Sequence, residues 1–277
     1  MLPFNIPKAK VNRILFQNDR NKIPYSHLHQ HTEFQITLVE QGKGSMIIGD
    51  SFHRFSSGDV FLFGSNLPHA FTSEKECSMV SIFFTPESLG PDFFSLPDLN
   101  PIKDLLLKAN KGLRLSAESH RTKELISLFE LSKGPLRVIS FLQLLQVISE
   151  HQHVTLSVFS YEKQFSHNEG KRMMNVFNYV MENYQNDIRL EQISTVAMLS
   201  RNSFCKYFKQ RTNKTFFQFL SEVRIEKACE LLINNPPFSI YDITSMIGFK
   251  NQSNFNRQFF KIKGVSPSSF RKSILIN

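Results

Sequence analysis

The sequence predicts a two-domain α+β protein: an N-terminal antiparallel β-barrel with a helical hairpin, then an all-α domain with two helix-turn-helix units. Three observations carry this. Residues 10–90 are short apolar runs broken by Gly, Asn, Asp and Pro. Residues 190–270 repeat one apolar pattern at an offset of 50 or 51. Charge is unevenly divided: residues 1–168 hold 17 Lys and Arg against 16 Asp and Glu, whereas residues 169–277 hold 16 against 8. A basic domain joined to a near-neutral one reads as a polyanion-binding module attached to something else.

The 277 residues suffice for two ordinary domains, and 41% hydrophobic with 21% charged residues marks a globular chain. No apolar run approaches the roughly 18–20 residues that span a bilayer, and MLPFNIPKAKVNR lacks a signal peptide's apolar core. No membrane partner is expected. The cysteines, Cys77, Cys205 and Cys229, are odd in number and widely spaced, so neither a disulfide nor a zinc framework is indicated. A reduced cytoplasm is the expected compartment.

In chain order, the strand candidates are FQITLVE from Phe34, SMII from Ser45, FHRF from Phe52, VFLF from Val60 and CSMVSIFF from Cys77. Turn residues separate them: Gly42-Lys43-Gly44, Gly49-Asp50, Ser57-Gly58-Asp59 and Asn66-Leu67-Pro68. Many short strands at this spacing indicate a small antiparallel barrel or sandwich. Helical periodicity follows over Pro101–Asn110, Ser119–Leu131 and Pro135–Gln152. The third of these is apolar on more than one face, which predicts a helical hairpin docked on the barrel with apolar surface left for a partner. The expected division is residues 1–152 (barrel about 10–90, helices about 100–152), a linker at 153–168, and a second domain at 169–277.

The segment HLHQHTEF sets His27, His29, His31 and Glu33 at alternate positions. In an extended strand they would share one face. That pattern suits a metal centre, the polar wall of a ligand pocket, or an ordinary wet sheet face. The many phenylalanines of this region, Phe34, Phe61, Phe63, Phe83 and Phe84 among them, read as core.

In the basic half, Leu190, Ile193, Ala197 and Leu199 recur as Ile240, Ile243, Ile247 and Phe249 at an offset of 50. Phe204, Phe208 and Phe219 recur as Phe255, Phe259 and Phe270 at an offset of 51, the extra residue falling in a turn. Each unit is a short amphipathic helix, a tight turn and a second helix, which is helix-turn-helix punctuation. Ser200 or Asn202 can cap the second helix of the first unit, and Asn251 or Ser253 that of the second. Gly248 supplies a permissive turn residue, whereas Met198 at the equivalent place disfavours a left-handed conformation. Phe216–Asn234 predicts a helix between the units, stopped by Pro236 and Pro237. Its length of roughly 28 Å is of the order of one B-DNA turn, so the units suit successive major grooves of DNA, not the narrow groove of RNA.

Arg172 to Ser273 resembles the DNA-binding domain of the AraC/XylS family of bacterial transcription regulators. The signature is IYDITSMIGFKNQSNFNRQFFKIKGVSPSSFR, with SRNSFCKYFKQRTNKTFFQFL and RIEKACELL fitting the other half. Thr244 departs from the family's usual Ala. The resemblance implies that Asn202, Ser203, Cys205, Lys206 and Lys209 face DNA from the first recognition helix. It implies the same of Gln252, Ser253, Asn256 and Arg257 in the second. Arg257, Asn256 and Gln252 suit base reading, and Lys209, Lys250, Lys261 and Lys263 suit phosphates. Arg257 has an internal salt bridge as its alternative.

His29 to Phe71 resembles the cupin-like sensor domains common in those regulators, through the Gly-Lys-Gly turn, SGDVFLF and Pro68-His69. This implies a small effector held by His29, His31, Glu33 and His69, and helices that make a homodimer. Metal-binding cupins add a Glu four or five residues past the His-x-His pair, where Gln35 and Ile36 stand here. No metal and no other cofactor is therefore expected, with His29, His31 and His69 as the metal candidates. The leading expectation is a non-enzymatic, sequence-specific transcription regulator that binds double-stranded DNA under effector control, with RNA polymerase as the further partner activation would need. The alternatives are a cupin metalloenzyme tethered to a DNA-binding domain and an effector-independent DNA binder.

Overall fold

The structure, a computed structural model, describes residues 5–6, 8, 13–115, 120–157, 167–234 and 238–275. They fall into two compact units, Met1–Gly170 and Lys171–Asn277. Among the described residues no helix is long and apolar enough to cross a membrane.

The first unit runs β1 (Leu15–Lys22), β2 (Phe34–Gln41), β3 (Lys43–Ile48), β4 (Ser51–Ser56), β5 (Val60–Phe63), β6 (His69–Thr72) and β7 (Cys77–Phe84). It continues with α1 (Asn100–Ala109), β8 (Leu113–Leu115), α2 (His120–Leu131), α3 (Gly134–Glu150) and β9 (His153–Thr155). The expected antiparallel β fold is present, as two antiparallel sheets instead of a closed ring. One has the order β1-β7-β2-β5-β8-β9 and the other β4-β3-β6. The pairing register between β2 and β7 shifts between Val39 and Gln41, and Gly42 follows at φ +110°. A Cβ there would lie 2.5 Å from Cys77 Sγ, so only glycine lets the chain leave one sheet and enter the other at this point.

Period-2 alternation sorts the larger sheet into two buried faces. Phe34, Ile36 and Leu38 of β2, Val60 and Leu62 of β5, and Val80, Ile82 and Phe84 of β7 pack in one cluster with α1, α2 and α3. The intervening Gln35, Thr37, Phe61, Phe63, Ser81 and Phe83 point the other way, where Phe61 and Phe63 meet Phe71 of β6 at ring-centroid distances of 6.2 and 5.9 Å. α2 and α3 form the expected hairpin and meet through Phe129 and Phe141, 6.0 Å apart. Arg20 of β1 binds Glu40 of β2 at 2.6 Å and Glu130 of α2 at 2.7 Å, fastening hairpin to sheet. Leu131, Leu136 and Ile139 stay exposed, at 81%, 52% and 50%.

β9 pairs with β8, so the first three residues of the stretch expected to be a linker are sheet. Beyond it, Leu156 N–H donates to Gly112 O (2.9 Å) and Ser157 N–H to Lys111 O (2.8 Å). On the side of the smaller sheet, His53 Nε2 lies 2.6 Å from Leu156 O, and Ser157 Oγ donates to Asp50 Oδ1 at 2.7 Å. The rest of the expected linker at 158–166, and the Pro236-Pro237 helix stop, lie outside the described residues.

The second unit contains α4 (His167–Asn183), α5 (Leu190–Val196), α6 (Arg201–Thr212), α7 (Phe216–Asn234), α8 (Ile240–Met246), α9 (Gln252–Lys263) and α10 (Pro267–Leu275). The sequence repeat is a structural one. Phe204–Phe208 and Phe208–Phe219 stand 5.6 Å apart, and Phe255–Phe259 and Phe259–Phe270 are again 5.6 Å apart. Phe177 completes the first cluster, 4.6 Å from Phe219. Ile225, Cys229 and Leu232 of α7 seal the second. Ser200 caps α6 by accepting from Ser203 N–H, and Asn251 caps α9 by accepting from Asn254 N–H at 2.8 Å. Asn202 and Ser253 are left free of capping duty.

The two turns share one hydrogen-bond pattern. Met198 N–H donates to Thr195 O and Leu199 N–H to Ser194 O; Gly248 N–H donates to Ser245 O and Phe249 N–H to Thr244 O. This closes each helix with a left-handed residue, Met198 at φ +53° and Gly248 at φ +84°. Met198 thus adopts the conformation its side chain disfavours, because the paired bonds and the burial of Ala197 on one side of it outweigh the strain. Its side chain is 81% exposed and meets no crowding. Thr244, buried at the second unit's equivalent of Ser194, returns its hydroxyl to Ile240 O at 2.7 Å.

Candidate functional site

Two surfaces carry chemistry. In the second unit, Asn202, Ser203, Cys205, Lys206 and Lys209 lie on the exposed face of α6, opposite the buried Phe204 and Phe208. Gln252, Ser253, Asn256, Arg257 and Lys261 are likewise exposed on α9, opposite Phe255 and Phe259. Both helices therefore present polar and cationic groups along one side while an aromatic stripe holds the other. Arg257 bonds only Asn254 Oδ1 of its own helix, at 3.0 Å, and has no carboxylate partner among the described residues. The internal salt bridge held open for it is not formed. Lys250 is exposed and pairs with Asp187 at 2.9 Å, which holds the Asp187 carboxyl below its ordinary range. Lys263 differs from expectation: it is half-buried and pairs with the buried Glu226, so its charge is already engaged inside the unit.

The first unit holds a cavity of about 540 Å³ between the polar face of the larger sheet and the chain before β2. Gln35, Thr37 and Ser81 make its floor: the Gln35 amide reaches Thr37 Oγ1 at 2.7 Å and Ser81 Oγ at 3.2 Å, and the two hydroxyls are 2.9 Å apart. Phe71, Met79 and Phe83 form apolar wall. Lys8, Gln17, Asp19 and Lys22 also border the space. None of these was expected. The signal was present, because Gln35 and Thr37 interrupt an otherwise apolar strand at alternate positions and Ser81 opposes Thr37 in register.

Of the four residues expected to bind an effector, His29 and His69 line the cavity, while His31 and Glu33 do not. The segment is not one extended strand: it bends at His27 and again at Thr32 and Glu33. His29 and His69 are locked side by side by reciprocal backbone bonds, His29 N–H to His69 O at 3.0 Å and His69 N–H to His29 O at 2.9 Å. Their rings are 4.4 Å apart, and the His31 ring is 5.0 Å from His69. Glu33 turns aside, accepting Lys8 N–H at 3.3 Å with its other oxygen 3.8 Å from His31 Nδ1.

Burial sets the electrostatics. It pulls His29 down to about 3, with smaller contributions from the neighbouring His31 and Lys8. It lowers His31 against opposing bonds from Gln35 and the Glu33 carbonyl, and places His69 well below the ordinary imidazole range. All three rings are neutral near pH 7. Burial also lowers Lys8, with Asp19 and Glu33 opposing.

Comparison with known proteins agrees with both halves. A family described as helix-turn-helix domain matches residues 193–273, and one described as cupin domain matches residues 15–83. An uncharacterised helix-turn-helix-type transcriptional regulator of Bacillus subtilis, YdeC, is 24% identical over 96% of this chain and 92% of its own. The probable transcriptional regulator LumQ of Photobacterium leiognathi is 26% identical over 88% of this chain and 91% of its own. The transcriptional activator RhaR of Mannheimia succiniciproducens is 24% identical over 92% of this chain and 91% of its own. These relatives align across both domains and not across the helical one alone: the chain joins a cupin domain to an AraC-type helix-turn-helix domain, and its homologues are AraC-family DNA-binding transcription regulators.

Proposed function

We propose that this regulator works in the cytoplasm as a homodimer, reads its operator through α6 and α9, and is controlled by a small effector bound in the first unit. The observation that carries the effector reading is the cavity of about 540 Å³, whose hydrogen-bonding floor under aromatic walls is the usual make-up of a small-molecule site. Asn202, Ser203, Cys205, Lys206, Gln252, Ser253, Asn256 and Arg257 are the residues assigned to base edges and nearby backbone. Lys209, Lys250 and Lys261 are assigned to phosphates, where they add affinity and salt dependence without sequence information. Exposed Leu131, Leu136 and Ile139 on the hairpin supply apolar surface for the second copy. RNA polymerase is the partner that activation would add.

For regulation, the effector must favour the DNA-competent arrangement over the other; equal affinity for both shifts nothing. The test is to recover genomic fragments bound by the full chain, then re-measure affinity across a panel of small metabolites. One chemical class should change the affinity, and Ser81→Phe, which fills the floor, should abolish that response. If no metabolite changes DNA affinity and Ser81→Phe behaves as the parent, the effector reading fails while DNA recognition stands.

A further inference from the structure

The two helix-turn-helix motifs are joined by α7. Its Phe216 and Phe219 belong to the aromatic cluster of the first motif, and its Ile225, Cys229 and Leu232 to the core of the second. One helix fixes the distance between two bodies but not their angle, since long helices curve and bend.

Arg224 stands at the changeover. Its Nε donates to Tyr184 O at 2.7 Å, and a terminal nitrogen donates to Asn186 O at 2.8 Å. Both carbonyls lie in the loop between α4 and α5, just past the end of α4, where the helix dipole is negative and favours a cation. The same guanidinium lies 5.7 Å from the centre of the Phe249 ring, in the turn of the second motif. Arg224 therefore grips both motifs at once, from the point on α7 where one core gives way to the other.

Two contacts join the same segments without Arg224. Gly248 comes so close to the loop that a Cβ there would fall 2.5 Å from Gln185 O. Lys250 pairs with Asp187 at 2.9 Å, but both side chains are exposed, so this pair carries little weight. The half-buried Arg224 fork is the stronger fastening, because its bonds are charge-assisted and shielded from water. Residues 184–187 lead into α5 of the first motif, and residues 248–250 lead into α9 of the second. The motifs thus have a second point of attachment beside α7, and two points fix an angle that one leaves free.

We propose that Arg224 is a positioning residue for DNA reading. By pinning the 184–187 loop to the turn of the second motif, it holds α6 and α9 at one separation and angle, so the protein accepts a single spacing between its two DNA sub-sites. Arg224 itself touches no base. This rests on the reading of the operator through α6 and α9 given above. One base pair added to B-DNA moves a sub-site by about 3.4 Å and turns it by about 34°. A clamped pair of motifs cannot follow that step and keeps the contacts of one motif only, whereas a pair hinged on α7 alone can follow it.

The test binds the full chain to an operator recovered from the genome and to altered versions of it. In some, one base pair is added or removed between the sub-sites; in others, one sub-site is scrambled. For the parent, the shifted operators should bind as weakly as the scrambled ones. Arg224→Met should bind the shifted operators at least about 10-fold more tightly than the scrambled ones. A role in stability alone would weaken every operator by one factor and leave that ratio unmoved. Since loss of the fork could unsettle the fold, Arg224→Lys is the second variant. It keeps the charge but, as a point donor, not the fork, and should move the ratio in the same direction. A parent chain that tolerates the added base pair overturns the proposal, as does a folded variant of either kind that keeps the parent's ratio. If scrambling either sub-site leaves the parent's affinity unchanged, the reading through α6 and α9 has itself failed, and the proposal falls with it.

Discussion

Met198 and Gly248 occupy the same place in the two helix-turn-helix turns, and substitutions there should have opposite effects. In Met198→Gly, an L-residue leaves the left-handed region, which relieves about 1–2 kcal/mol. Glycine's extra backbone entropy gives back about 0.5–1 kcal/mol. The Met198 side chain is 81% exposed, so little packing is lost. The net expectation is stabilisation by about 0.5–1 kcal/mol. In Gly248→Ala the same strain appears in reverse, and the new Cβ falls 2.5 Å from Gln185 O and 2.9 Å from Tyr184 O. Those are backbone atoms and cannot swing aside, so overpacking adds about 1–3 kcal/mol. After the entropy that alanine recovers, about 0.4–1 kcal/mol, the net loss is about 2–4 kcal/mol. Native-state hydrogen exchange on the full chain reads both, in peptides covering residues 190–212 and 240–263. At a factor of ten per 1.4 kcal/mol, exchange should slow about 2–5-fold around Met198→Gly and accelerate about 30-fold or more around Gly248→Ala. Faster exchange in the first variant, or unchanged exchange in the second, would refute the strain argument.

Three further outcomes are expected. Arg224 donates to Tyr184 O at 2.7 Å and Asn186 O at 2.8 Å while its guanidinium lies over Phe249. Arg224→Met keeps the apolar stem and leaves those carbonyls unpaired, so a thermal melt should show a loss of about 2–4 kcal/mol. Arg257→Ala should weaken operator binding by about 1–3 kcal/mol and relax one position, and Lys209→Ala should lower the salt slope by about 1 at every sequence. A footprint or slope identical to the parent's would remove either residue from the interface. The buried histidines should make the first unit acid-sensitive. The unfolded chain takes up protons near pH 6.5 that folded His29 refuses until about 3, so stability is complete above about 6.5 and falls as pH drops through that window. His29 alone should cost up to about 1.4 kcal/mol per pH unit there, measured by urea unfolding at stepped pH, and a flat profile would contradict its burial as a neutral ring.

The helical half was legible almost to the residue because its signal is redundant. Phe204, Phe208 and Phe219 were identified by recurring at Phe255, Phe259 and Phe270, and α7 ran over Phe216–Asn234 as read. The sheet half was legible where strands alternate strongly, as in β2 and β7. It was not where strands are three residues long, as in β8 and β9, or polar, as in β1, since neither leaves enough periodicity. The candidate site divided the same way. Exposed positions on α6 and α9 follow from helical spacing alone. Convergence of His29 and His31 with His69 depends on a non-local backbone bridge, and the cavity floor on which strands become neighbours; a linear pattern carries neither.

The segment 153–157 is fastened twice. β9 hangs on β8 of the larger sheet, while Leu156 and Ser157 are held by His53 and Asp50 at the β3–β4 end of the smaller one. The cavity is lined by β1, β2 and β7 of the larger sheet and, from the smaller one, by His69 and Phe71 of β6. Residues 153–157 therefore strap the two sheets together. Any movement of one sheet against the other would have to stretch these bonds or drag residues 156–157 along.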